Sequence, residues 1–154
     1  MTIEQRLIDL GITLPSGTAP AANYVNAVHS GNFLFIAGKA PLPENGKLPK
    51  GKLGREFSTE DDYRFARSAT IDLIAVMQAE LRSLERVARI VEIQGYLNTV
   101  DDFEDHALVL NGCSDLLVEV FGDKGLHARS VLGANSLRGG LPVVLKAVVE
   151  VTQG

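Results

Sequence analysis

The stretch from Ser58 to Asn98 changes its period once, and that change limits what the chain can fold into. Ala66, Ala69, Leu73, Val76, Met77, Leu81 and Leu84 recur at three- and four-residue spacing, the apolar stripe of an amphipathic helix. Arg67, Asp72, Gln78 and Arg82 fall on its other face. Ser58 and Thr59 supply hydroxyl caps, with Asp61 and Asp62 three residues on in a capping-box arrangement. In "RIVEIQGYLN" (89–98) the spacing drops to two. Val91, Ile93 and Leu97 take one side, and Glu92, Gln94, Tyr96 and Asn98 the other. A long helix feeding a half-polar strand calls for a layered fold, with the helix covering one face of a sheet.

The flanking segments complete that plan. "YVNAVHSGNFLFIAG" (24–38) reads as two short strands joined at Ser30-Gly31-Asn32. A loop rich in proline and glycine follows over 41–57. A second helix is expected from Asp101-Asp102, where acids suit the positive end of the helix dipole, to Gly122. Its stripe is Phe103, Ala107, Leu110, Cys113, Leu117, Val120 and Phe121. "ARSVLGAN" (128–135) and "VVLKAVVEV" (143–151) are the last strands. The prediction is an α+β fold, β-β-α-β-α-β-β, with both helices on one face of one sheet. One domain spans 1–154, residues 1–20 being a short N-terminal helix and an irregular extension. The uncovered face carries Val144, Lys146, Val148 and Glu150 on the last strand, polar and apolar mixed. Such a face suggests burial against another subunit, with pockets.

Several function classes are disfavoured by what the chain contains. Net charge is −4, which argues against a broad nucleic-acid footprint. No apolar run reaches the roughly 18 residues of a membrane span, and the N-terminus lacks the pattern of a secretory signal. One cysteine, Cys113, cannot form an internal disulfide and suits a reducing compartment, so a cytoplasmic protein is expected. On the apolar stripe it reads as a small core hydrophobe. His29, His106 and His127 have no metal-ligand spacing, so no metal is expected; His106 should lie on the exposed side of its helix. "GKLPKGKL" (46–53) matches a phosphate-binding pattern over Gly46, Gly51 and Lys52. Leu53 stands where Ser or Thr is needed, and Pro49 removes a backbone donor. The cluster Lys47, Lys50, Lys52 and Arg55 lacks interleaved aromatics and reads as a solvated loop.

Arg129 is harder to dismiss. It enters a strand beside Ser130 and lies two residues from His127, so His127 and Arg129 point the same way. A guanidinium there could form a surface ion pair or hold a carboxylate with parallel hydrogen bonds.

The run "HARSVLGA", the early "NYVNAVHSGNFLFIAGKAP" and the helix "LNGCSDLLVEVFG" together resemble the RidA (YjgF) family of imine/enamine deaminases. Older usage labels its members L-PSP endoribonucleases or translation inhibitors. The resemblance runs from about Pro20 to Val151. It implies a chorismate-mutase-like fold and a homotrimer whose sheets form a central barrel, with ligand sites between subunits. It also implies hydrolysis of 2-imino acids to 2-keto acids and ammonia without a cofactor, the partner being a small carboxylate. The family's carboxylate-binding arginine falls on Arg129, followed by Ser130; its pocket tyrosine falls on Tyr24, its helix asparagine on Asn111 and its glycine on Gly38. Three pocket positions depart from the pattern: Ala37 replaces a serine, Val131 a cysteine and Val144 a water-positioning glutamate. That glutamate's task would then fall to backbone carbonyls, a second water, or another polar residue such as Glu150 or His127. A non-catalytic carboxylate binder is the alternative reading, and an endoribonuclease a third.

Overall fold

The computed structural model describes residues 1–16, 19–20 and 22–153 of the 154. Its elements are α1 (Ile3–Asp9), β1 (Ala27–Ser30), β2 (Phe33–Lys39), α2 (Thr59–Leu81), β3 (Val87–Asn98), α3 (His106–Phe121), β4 (Ala128–Ala134) and β5 (Val143–Val151). The strands form one sheet in the order β1-β2-β5-β3-β4; β4 pairs with β3 in parallel, and the other pairs are antiparallel. The α+β plan expected from the period change is what the chain adopts.

One face of the sheet is dry. Leu34, Ile36, Ile93, Leu97, Leu145 and Val149 are buried with the inner residues of α2 and α3 in one core cluster. Burying a side chain of this size contributes roughly 1.5–3 kcal/mol, so the alternation of β3 and β5 holds their register against a one-residue slip. A register shift between Ile90 and Glu92 seats Ile90 in the core and leaves Val91 half-buried. Ser58 caps α2 in a reciprocal pair with Asp61; Thr59 is the first helical residue.

Several expectations need correction. Asp72 is buried, because Leu42 donates its backbone N–H to Ser68 Oγ at 2.8 Å and the 40–48 loop lies over that side of α2. Helix α3 starts at His106, four residues after Asp102, with Asp105 at the cap. Phe103 instead turns back to Val100 and packs edge-on to the His106 ring, 5.1 Å between centroids, leaving His106 half-buried and Ala107 exposed. Lys52 is no freely solvated loop residue: its ammonium donates to Asn98 Oδ1 at 2.8 Å and to the carbonyls of Thr99 and Asn135.

The other face of the sheet is open and mixed. Val28, Phe33, Phe35, Lys146 and Leu132 are exposed on it, and Val144, Val148, Gln94 and Tyr96 half-buried. Register aligns Val144 with Tyr96 and Tyr96 with Leu132 across three strands. Among the described residues no helix is long and apolar enough to cross a membrane.

Candidate functional site

Strand β4 is an edge of the sheet, and alternation divides its side chains between the two faces. Arg129 and Val131 stand opposite Ile93 and Gly95 on the helix side; Ser130 stands opposite Gln94 on the open side. Ser130 Oγ donates to Gln94 Oε1 at 2.6 Å. Neighbours in the sequence, Arg129 and Ser130 therefore do not converge on one pocket within the chain.

Arg129 meets α3. Its Nη1 donates to Ser114 Oγ at 3.0 Å and its Nη2 to the carbonyl of Ala107 at 3.3 Å. These contacts use two of the five N–H donors on a guanidinium. Among the described residues the ion pairs are Arg55–Glu56, Arg64–Asp61 and Arg67–Glu119, so no carboxylate is paired with Arg129. Half-buried and held by neutral acceptors, the guanidinium keeps its charge available for an anion.

His127 joins the same group from two residues upstream. Its Nε2 lies 2.8 Å from Ser114 Oγ and its Nδ1 2.6 Å from the carbonyl oxygen of Gly125. The shared direction of His127 and Arg129 expected from alternation brings both onto Ser114. Nothing in the sequence singled out Ser114: a serine inside a helix carries no periodic signal, and its partners lie 13 and 15 residues away. Cys113 beside it is buried, and burial pushes its thiol up to about 12, so it is no nucleophile.

The remaining candidates lie elsewhere. Tyr24 and Gly38 line a cleft of about 270 Å³ with Lys39, Pro41, Asp72 and Arg138. Ala37, on β2, is half-buried and donates its N–H to the Asn26 carbonyl. Gly38 faces Val144: a Cβ there would lie 2.9 Å from Val144 Cγ1. Asn111 opens onto a groove between α2 and α3 with Tyr63 and Asp115. Val131 packs against the core. Sheet order separates the Gly38 end of β2 from β4 by three strand spacings, roughly 14 Å. Arg129 and the Tyr24–Gly38 cleft therefore lie apart within one chain, near different strands of its sheet.

Sequence reasoning also missed Lys39, which is 5% exposed and donates to Asn26 Oδ1 at 2.5 Å. Continued alternation after Leu34 and Ile36 would turn it outward. A register shift between Ile36 and Lys39 turns it in.

Comparison with known proteins places this geometry. Residues 4–145 match the family model described as "YjgF/chorismate_mutase-like, putative endoribonuclease". Protein TCP17 of Trypanosoma cruzi is 38% identical over 142 residues, 92% of this chain and 89% of its own. The crystal structure of Atu1372, a protein of unknown function from Agrobacterium tumefaciens, is 36% identical over 97% of this chain and 92% of that one, with a TM-score of 0.89. An endoribonuclease-labelled structure from Shewanella oneidensis reaches a TM-score of 0.94 at 29% identity, covering 98% and 100% of the two chains. With nearly its whole length matched and the fold shared, this chain belongs to the YjgF/chorismate-mutase-like family.

Proposed function

We propose that this protein hydrolyses 2-imino acids, and the enamines in equilibrium with them, to 2-keto acids and ammonia. It does so in the cytoplasm as a homotrimer of one-domain subunits spanning residues 1–154. The observation that carries this reading is Arg129, a half-buried guanidinium without a carboxylate partner among the described residues, fixed by Ser114 and Ala107. Such a fork suits a carboxylate, the group common to imino and keto acids. The separation of Arg129 from Tyr24 and Gly38 favours a pocket completed between subunits, where β4 of one chain meets the Tyr24 segment of another. The mixed open sheet face is a suitable surface for that contact. Water is the sole co-reactant of the hydrolysis, and no cofactor enters it.

Val144 favours a second reading, a trimer that binds small carboxylates without turning them over. A valine beside Gly38 can neither orient nor deprotonate water. An RNA substrate draws less support from the basic loop than its composition suggests. The Lys52 ammonium is engaged by three acceptors, and Arg55 pairs with Glu56. The deciding experiment measures keto acid and ammonia released from enzymatically generated 2-aminoacrylate. Release above the uncatalysed rate supports the deaminase; keto-acid binding without release supports the binder.

A further inference from the structure

We propose that Ser114 and His127 form the proton relay of the Arg129 site, with Ser114 as the group that touches water and His127 as the residue acting through it. This rests on the deaminase reading above and assigns its acid–base step.

Hydrogen-bond direction settles the relay's polarity. The Gly125 carbonyl can only accept, so the His127 Nδ1 at 2.6 Å carries the proton. In the neutral ring Nε2 is then an acceptor, and Ser114 donates its hydroxyl proton to it across 2.8 Å. The same oxygen accepts from Arg129 Nη1 at 3.0 Å. A hydroxyl has one proton and two lone pairs, so one lone pair of Ser114 Oγ remains for a water beside the guanidinium. Gly125, the anchor of the ring, is itself wedged: a Cβ there would lie 2.2 Å from the Leu117 carbonyl oxygen. Its backbone therefore lies directly against the end of α3, and the imidazole is held in one orientation.

The charged surroundings are few. Arg129 reaches the ring through Ser114 from β4; Asp115 on α3 is bonded to Tyr63; Asp123 and Lys124 on the intervening turn are exposed. The Cys113 thiol stays neutral. Among the described residues no carboxylate therefore competes with Ser114 for the ring.

The chemistry balances. Water adds to the C=N carbon of the iminium form, its oxygen making the new bond while the π pair moves to nitrogen. One water proton passes to Ser114 Oγ as the serine proton passes to His127 Nε2. The imidazolium then returns that proton through Ser114 to the amine nitrogen. The C–N bond breaks with its pair on nitrogen, the carbonyl forms, and the hydroxyl proton leaves with ammonia as ammonium.

The test compares the parent trimer with Ser114→Ala, His127→Gln and Ser114→Thr, using enzymatically generated 2-aminoacrylate for turnover and pyruvate for binding. Loss of a positioned acid–base group predicts a fall in kcat of about 10²-fold or more for Ser114→Ala and His127→Gln. Pyruvate affinity should change by less than about threefold, the signature of an interaction used in the transition state. Ser114→Thr, which restores a hydroxyl, should recover turnover. Equal kcat in the parent, Ser114→Ala and His127→Gln overturns the relay and leaves the deaminase standing. Loss of pyruvate binding in step with kcat, without rescue by threonine, overturns it in favour of a role confined to holding Arg129. A parent that releases no ammonia overturns the deaminase reading, and the relay with it.

Discussion

Gly112 of α3 lies against the backbone of Tyr63 in α2: a Cβ added at Gly112 would sit 2.1 Å from the Tyr63 carbonyl oxygen. Helices α2 and α3 meet at that point, and only hydrogen fits between them. Gly112→Ala should gain up to about 1 kcal/mol of intrinsic helix propensity, yet overpacking here costs about 1–3 kcal/mol. The net expectation is a lower Tm. An unchanged or raised Tm would mean the helices separate at no cost.

Asp62 offers a pH test of the same helix. It is fully buried, neither carboxylate oxygen has a hydrogen-bond partner among the described residues, and burial followed by the neighbouring Asp61 charge raises its pKa to about 7. A carboxyl whose folded pKa lies above its unfolded value binds its proton more tightly when folded. Its favourable contribution is complete below the unfolded pKa and is lost as pH rises toward 7. Asp62→Asn should therefore raise Tm by a few degrees relative to the parent at pH 8 and bring little gain at pH 4. A gain confined to pH 4 would reverse the assignment.

Arg129→Ala should weaken binding of pyruvate or another small keto acid by at least about tenfold, since 1.4 kcal/mol is one decade and a hydrogen bond to a charged group contributes about 1.5–3 kcal/mol. Folding should change little, because the guanidinium is only half-buried. Calorimetry showing parental affinity would remove Arg129 from the site.

Val144 should be the position at which activity can be gained. It stands opposite Tyr96 and over Gly38 on the open sheet face, so a longer acidic side chain has room to extend from the sheet. Val144→Glu should raise ammonia release, but by less than the roughly 10²–10⁴ that a positioned acid–base group contributes where none acts, because Ser114 and His127 already supply one. A parent as fast as its glutamate variant would show that position 144 takes no part in activating water.

Light scattering at micromolar concentration should return about three times the chain mass of 16.5 kDa. Phe35→Glu, which places a charge on the exposed apolar part of the open face, should shift the mass toward the monomer. A parent that elutes as a monomer would separate Arg129 from Tyr24 for good.

How much of this was legible depended on whether the cause was local. The stripe of α2 and the alternation of β3 and β5 are local patterns reinforced by burial, and they gave the layers and the open face directly. The start of α3 was misplaced because Asp101-Asp102 has the chemistry of a helix start, while Asp105 holds the cap position. Asp72 defied its helical position because a loop without any period covers it. Lys39 turned inward through a register shift that alternation cannot signal. Arg129 and His127 could be paired by spacing; Ser114 could not, since only tertiary packing brings α3 to β4.

Lys52 gives the 41–57 loop an uneven surface chemistry. An amine-directed acylating reagent needs a free, deprotonated amine, and the Lys52 nitrogen has its protons directed at Asn98, Thr99 and Asn135. Lys47 and Lys50 stand exposed in the same loop. Labelling should therefore mark the two outer lysines first and reach Lys52 only when the ends of β3 and β4 come apart, which makes one residue's acylation a chemical clock for the opening of that end of the sheet.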